Sequence, residues 1–250
     1  MRGAQEVIGS GAPILGGISQ DEYAMRKSFQ FCQNHILNDA AVGLLIGGNM
    51  SIVIGNKHGW RPLGKPRTIT RAEGNIIYEI DQKPAIEIYQ DYLKEEIKNV
   101  HNTRLGHFAS LYPLGIYIEE EREYLLRNAV DILEDGSILC QGDVPQNSEV
   151  HIMISNKESI KQAAADAALL VRDGLFGRQA KLILVFESLL RLRILGKTAI
   201  QELQMIKDIL GYTTPIFGMY TNGEISPFHS LQNVRSTYLH NESINIIAIG

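Results

Sequence analysis

Asp135-Gly136 stands between the apolar segments "AVDIL" and "SILCQ", and this dipeptide constrains the fold more than any other feature of the chain. An aspartate followed by glycine matches the type I′ turn that joins two antiparallel strands. The flanking residues are therefore expected to pair as a hairpin, and the fold must contain antiparallel sheet. Gly47-Gly48-Asn49, between "AVGLLI" and "SIVIG", predicts a second hairpin nearer the N-terminus.

Later segments switch from hairpins to an alternation of helices and strands. Asn75–Ile80 reads as a strand, and Ile86, Tyr89, Leu93 and Ile97 place a helix from Pro84 to about Asn99. "KNVHNTRLGHFAS" reads as an exposed loop and "EVHIMI" as a strand. Ser155-Asn156-Lys157-Glu158 fits a capping box for a helix with Ile160, Ala164, Ala167 and Val171 on one face, stopped at Gly174. "AKLILVF" reads as a fully buried strand. Thr198 is expected to cap another helix, with Ile200, Leu203 and Ile206 on its apolar face and Gly211 past its end. Strands over 215–220 and 243–249 complete the chain. This order predicts an α+β fold with mixed, mainly antiparallel sheets packed against helices.

Composition narrows the function. With 250 residues, 44% of them hydrophobic, the chain can bury a sizeable core. Net charge is −4 and no Lys/Arg block exceeds two residues, which argues against nucleic acid or an anionic membrane as partner. The N-terminus lacks a signal peptide's apolar centre and there is no 18-residue apolar run, so a cytoplasmic protein is expected. Cys32 and Cys140 lie far apart and read as reduced thiols. The seven histidines show no HxxxH pair, and "IGSGAPILGG" lacks the GK[ST] of a phosphate loop, so no metal and no cofactor is expected. The run "EEERE" reads as solvated surface.

Polar residues at the ends of apolar strands are the candidates for a site. Arg127 lies inside "YLLRNAVDIL", where a charge is costly unless paired. Arg191 follows the strand in "LILVFESLLRLR", Glu224 closes the strand that leads into "MYTNGEISPF", and His240-Asn241 precede the last strand. Each also fits a structural role, as an Arg–Glu ion pair or a plain turn. As a set they fit strand ends converging on one pocket.

"TPIFGMYTNGEISPF" followed by "YLHNESINIIAIG" resembles the signature end of the FIST domain, a bacterial sensory module. "GWRPLGKPRTITRAEGNIIYEIDQKPAIEIYQDYL" is similar to the junction between that family's two halves, and "LLRNAVDILEDGSILCQGDVP" to its Arg, D-G turn and proline turn. "LVFESLLRLRIL" is similar to its second-half strand and arginine, and "PILGGISQDE" with "VGLLIGG" to the last third of its first half. The resemblance implies a partial N-terminal FIST-like domain over 1–76 and a C-terminal one over 77–250. It departs from the family in having Ser188 where members carry cysteine, which puts a thiol-dependent role in doubt. The early part of the first half and an attached output domain are expected to be absent.

The resemblance implies a non-enzymatic sensory domain binding a small ligand, an amino acid or related small carboxylate, in intracellular signal transduction. Glu224 would then accept from an amine, Tyr220 and Asn222 would add neutral hydrogen bonds, and Arg127 or Arg191 would hold a carboxylate, with His240 and Asn241 beside them. The expected partners are the ligand, a downstream signalling protein and a second copy of the chain. Two rivals stand beside this reading: a hydrolase or isomerase using Glu224 and His240 as an acid–base pair, and a protein-interaction scaffold.

Overall fold

The computed structural model describes residues 2–9, 12–19, 28–92, 111–228 and 236–250, and divides into two units. Unit 1 comprises Met1–Gly59 and Lys157–Gly250, and unit 2 comprises Trp60–Asn156. The first segment of unit 1 carries helix α1 (Arg2–Ile8) and strands β1 (Gly16–Gly17), β2 (Gln30–Cys32), β3 (His35–Leu37) and β4 (Ile52–Lys57). Unit 2 follows with β5 (Arg61–Glu73), β6 (Ile76–Ile80), β7 (Lys83–Pro84), α2 (Glu87–Tyr92), β8 (Leu114–Ile118), β9 (Glu123–Arg127), β10 (Ala129–Ile132), β11 (Ile138–Cys140) and β12 (Glu149–Ile154). The chain then returns to unit 1 through α3 (Lys157–Gly174), β13 (Leu182–Ser188), α4 (Leu189–Leu195), a 3₁₀ turn at Gly196–Thr198 and α5 (Ile200–Leu210). Strands β14 (Ile216–Thr221), β15 (Glu224–Ser226), β16 (Tyr238–His240) and β17 (Ile244–Ile249) complete it. Strands dominate, most pairings are antiparallel, and the class is α+β.

In unit 2 the strands run in the order β10-β11-β6-β5-β12-β8-β9, with β7 against β6. Long β5 pairs Arg61–Thr68 with β12 and Ile69–Glu73 with β6, bending through register shifts between. The Asp135-Gly136 hairpin forms between β10 and β11. Its turn is not type I′. Gly136 N donates to Leu133 O (2.9 Å), Leu133 N donates to Ser137 O (2.9 Å), and only Gly136 (φ +79°) takes the left-handed conformation. That is the longer hairpin connection in which a glycine-led bulge follows an ordinary turn. Asp135 Oδ1 pins it by accepting from Ser137 N (3.0 Å) and Ser137 Oγ (2.6 Å). The first four residues of "EEERE" form the turn between β8 and β9. The helix expected from Pro84 starts only at Glu87, as α2, because Pro84 pairs with Glu79 in the β6–β7 ladder. The expected loop "KNVHNTRLGHFAS" lies outside the described residues.

The principal sheet of unit 1 has the order β14-β13-β17-β4, with β13 and β14 parallel and the other pairs antiparallel. The all-buried run Ile244–Ala248, apolar apart from Asn245, occupies a central position, as a strand buried on both faces should. Helix α3 lays Ala164, Ala167, Ala168 and Val171 on β4 and β17. Small side chains let this helix approach closely: a Cβ on Gly55 would come within 2.0 Å of the Ala167 carbonyl oxygen. Burying each Ile or Val of this core contributes about 1.5–3 kcal/mol. A smaller sheet, β1-β15-β16, holds the turn that follows β14.

Four expectations fail in unit 1. "AKLILVF" is not fully buried: Ile183 and Val185 are buried, but Lys181 is exposed and Leu182, Leu184 and Phe186, on the other face of β13, are only partly buried. "AVGLLI" is not a strand; Leu44 and Leu45 are exposed, and β4 finds its partner in β17, because an all-buried strand offers more burial than a local hairpin. The strand entering "MYTNGEISPF" is an end strand with Phe217, Met219 and Tyr220 exposed. Thr198 does not cap α5; its hydroxyl donates back to Leu195 O (2.8 Å), and Ile200 points to solvent while Glu202 is buried.

Candidate functional site

The end of β13 runs directly into α4, and Ser188 caps that helix by accepting from Leu190 N (3.3 Å). The cap places Glu187 and Arg191 four residues apart, one helical turn, on the inner side. Arg191 is fully buried and spends its donors inside unit 1. Nε donates to Glu187 Oε1 (3.4 Å), Nη1 to His58 O (2.7 Å) and Nη2 to Ile160 O (2.9 Å), while Nη2 also pairs with Glu202 Oε1 from the first turn of α5. A planar guanidinium with forked donors suits such a hub.

Two carboxyls therefore face one guanidinium. Burial first, and then Glu202, pushes Glu187 up to about 9, against the pull of Arg191. Glu187 lies within hydrogen-bonding reach of Glu202, a contact that two carboxyls make when one carries a proton. Glu202 Oε2 has no hydrogen-bond partner among the described residues. His58, buried beside Lys57, Arg191 and His240, is pushed down to about 3 and stays neutral.

A second polar cluster lies where β14 turns into β15. Glu224 Oε1 accepts from Thr221 Oγ1 (2.8 Å) and Gly223 N (3.3 Å), and Oε2 accepts from Ser243 N (3.1 Å) and Ser243 Oγ (3.0 Å). Gly223 takes φ +123°, and Gly17 passes so near Thr221 that a Cβ would meet its Cγ2 at 2.2 Å. Burial raises Glu224 to about 7 although all these hydrogen bonds oppose the shift. Beside it Glu242, at φ +58°, is wholly buried with neither carboxyl oxygen hydrogen-bonded among the described residues. Burial and the neighbouring Glu224 push Glu242 well above the usual carboxylate range. Asn56 and Asn245, opposite each other on β4 and β17, are hydrogen-bonded, and Asn56 Nδ2 also reaches Ser226 Oγ (3.3 Å).

Between β14 and α5 is a cavity of about 220 Å³. Val185, Leu203, Ile206, Ile216 and Met219 give it apolar walls, and Glu187 and Tyr220 supply its polar groups. Tyr220 is half-buried there, its phenol pushed up to about 12 by burial and by Glu187 and Glu202.

Of the seven residues singled out from sequence, six lie in unit 1. Tyr220 lines the cavity, and Arg191 stands behind Glu187. Asn222 N donates to Ile18 O (2.9 Å), Glu224 binds the turn, and His240 Nε2 contacts Ser226 O (2.9 Å). Asn241 Nδ2 donates to His240 O (3.1 Å). Arg127 belongs to unit 2, where Nε donates to Asp143 O (2.9 Å), Nη1 donates to Leu126 O (2.9 Å), and burial lowers it to about 10. Its neighbour Cys140 is a buried free thiol pushed up to about 12 by burial. Sequence reasoning missed Glu187, Glu202, Glu242 and His58. The four-residue spacing of Glu187 and Arg191 was the available signal for the first.

Among the described residues no helix is long and apolar enough to cross a membrane, and no cluster of three or more His, Cys, Asp or Glu side chains is placed to hold a metal ion. The chain is similar to an uncharacterised protein of Methanocaldococcus jannaschii, 25% identical over 62% of this chain and 31% of that protein. It is also similar to uncharacterised proteins of Mycobacterium bovis and Mycobacterium tuberculosis, each 22% identical over 87% of this chain and 56% of theirs. The chain thus spans between about a third and just over half of the length of these curated relatives. The family model for the FIST N domain matches residues 1–83, and that for the FIST C domain matches residues 85–227. Matched in succession by both halves, the chain belongs to the FIST family of small-ligand-binding sensory domains in signal transduction.

Proposed function

We propose that this chain is a non-enzymatic sensory domain that binds an amino acid or related small molecule in the cavity between β14 and α5. One observation carries the reading: an apolar cavity of about 220 Å³ presents just one carboxyl, Glu187, and one phenol, Tyr220, at its wall. Apolar walls with a few placed polar groups are what small-ligand sites require. Arg191 and Glu202 fix Glu187 from behind, and Glu224, Asn222, His240 and Asn241 shape the turn that follows Tyr220. Arg127, in unit 2, has no part in this cavity's lining. Glu224 already accepts four hydrogen bonds, which favours a structural role over general acid–base work with His240. A downstream signalling protein, a second copy of the chain and a cytoplasmic setting belong to the same proposal, and the exposed Phe217 and Met219 on β14 are where contact with another protein is expected.

A thermal-shift panel of amino acids, small amines and small carboxylates tests it. A ligand selective for the folded chain adds about 2.7 kcal/mol at a hundredfold excess over Kd, and at least one member should raise Tm by several degrees. Leu203→Trp, which fills the cavity, should abolish that shift. A folded protein that responds to no member would overturn the reading.

A further inference from the structure

The lining of the cavity also decides which end of a ligand it holds. Its ionisable groups are Glu187 and Tyr220, and among the described residues lining it there is no Lys, Arg or His. Arg191 is the nearest guanidinium, but it has no exposed surface, and its donors go to Glu187, Glu202, His58 O and Ile160 O. A ligand carboxylate entering this space would meet a carboxyl and a phenol, and its charge would be left without a counterion, which is costly in an apolar surrounding. A cation meets the opposite situation.

Behind the wall the two glutamates and one arginine are out of electrical balance. If Glu187 and Glu202 both ionised, the three groups would carry a net charge of one minus in a buried place, and this favours a proton on Glu187. The groups facing Glu187 are Arg191 from α4, Glu202 from α5 and Tyr220 from β14; from β17 its register partner is the apolar Ile244. Of these, Arg191 alone favours its ionised form. A positive group arriving from the cavity side would be a second.

We propose that the cavity takes a primary amine on a short apolar body, seated on Glu187 in place of the proton that Glu187 and Glu202 otherwise share. This rests on the sensory reading above and adds to it the charge of the ligand's anchoring end. The exchange balances: an ammonium enters, one proton leaves the carboxyl pair to solvent, and the net charge of the cluster is unchanged. The raised position of Glu187, to about 9, means that the proton is present at neutral pH and available for release. Binding is therefore coupled to pH, because the competing proton becomes scarcer as pH rises while the amine stays charged.

The test uses the full chain and two probes of equal shape and opposite charge, 3-methylbutylamine and 3-methylbutanoate. Calorimetric titrations at pH 6, 7 and 8, each in two buffers of different ionisation heat, read affinity and protons released. The expected result is amine binding with about one proton released and an affinity rising about tenfold per pH unit, with no binding of 3-methylbutanoate. Glu187→Gln, which mimics the protonated carboxyl, should keep the fold and lose the pH dependence with most of the affinity. If that variant does not fold, Leu203→Trp supplies the loss-of-site control, and proton release in the unmodified chain carries the test. Amine affinity that is flat with pH and without proton release overturns the inference, as does tighter binding of 3-methylbutanoate. Either result leaves the sensory reading standing if a panel member still binds at this cavity. Failure of both probes and of the whole amino-acid panel overturns both.

Discussion

Glu224 and His240 are direct partners across the β15–β16 ladder, yet their side-chain hydrogen bonds run in different directions. Glu224 turns to Thr221, Gly223 and Ser243, whereas His240 Nε2 contacts Ser226 O and its ring lies edge-on to Phe228, 4.7 Å between centroids. The acid thus serves as the keystone of a turn, and the histidine as a packed, hydrogen-bonded part of a small sheet. This relationship sets what substitutions here should do.

Glu224→Ala removes an acceptor shared by four buried donors. Each buried donor left unsatisfied costs about 1–3 kcal/mol, so the urea midpoint should fall steeply. Glu224→Gln keeps one acceptor oxygen but aims an amide at donors, and a loss of about 2 kcal/mol is expected. Equal stability of Glu224→Gln and the unmodified chain would show that the turn does not depend on this carboxylate.

Removing Arg191 strands two buried carboxyls. Arg191→Leu should destabilise the folded chain by about 3–5 kcal/mol, measured by equilibrium unfolding. Arg191→Lys should recover only part of this, because a single ammonium does not reach Glu187, Glu202, His58 O and Ile160 O together.

Stability should depend on pH in an unusual direction. Glu187 and Glu224 have folded positions raised to about 9 and about 7 from an ordinary 4.5, and Glu242 is raised as well. In such windows the folded chain binds more protons than the unfolded chain, so stability is lost as pH rises, through about 7 for Glu224 and about 9 for Glu187. His58 works on the acid side. Lowered to about 3, it leaves the folded chain with fewer protons than the unfolded one below 6.5, and stability falls as pH drops through that range. With three carboxyls against one imidazole, thermal melts should place the optimum in mild acid, near about pH 5. Glu187→Gln should flatten the alkaline limb. A stability maximum at pH 8 would contradict this account.

Much of the strand and helix order is legible in the sequence, because apolar runs and turn residues act locally. The β10–β11 hairpin, helix α3 and strands β13 and β17 follow from such signals. "AVGLLI" misleads because the partner of β4 lies almost two hundred residues away in β17. The site is less legible. Glu202 and Ile206 share the inner side of α5 while Ile200 is exposed, and an acid among apolar residues reads as solvated unless its buried arginine is already known. Glu242 carries no pattern at all in one dimension; its isolation arises only when β16 and β17 close around it.

Close packing of α3 on β4 gives a test of the fold itself. Gly55→Ala would force a Cβ into the Ala167 carbonyl oxygen and near Val171 Cγ2 (3.1 Å). Overpacking of this kind costs about 1–3 kcal/mol, and at about 2–4 °C per kcal/mol the midpoint should drop by several degrees. An unchanged Tm would mean that α3 shifts freely on the sheet.

Tyr220 separates binding from folding. Its ring is partly exposed and lines the cavity, so Tyr220→Phe should leave stability within about 0.5 kcal/mol while weakening any cavity ligand that uses the phenol. Parallel melts with and without the best panel member measure both effects.

The place of β17 in its sheet has a consequence for how the chain is made. Residues 244–249 separate β4 from β13, so the earliest long strand of unit 1 has no neighbour in this sheet until β17, almost two hundred residues later, has left the ribosome. Unit 2, one unbroken stretch from Trp60 to Asn156, contains all its own strand partners much sooner. Synthesis therefore imposes an order, with the middle of the chain folding first and β4 waiting in an unfinished state. A nascent chain halted before Ile244 should be protease-resistant across 60–156 and open to cleavage around 52–57, and a chain extended past Ile249 should become resistant at 52–57 as well.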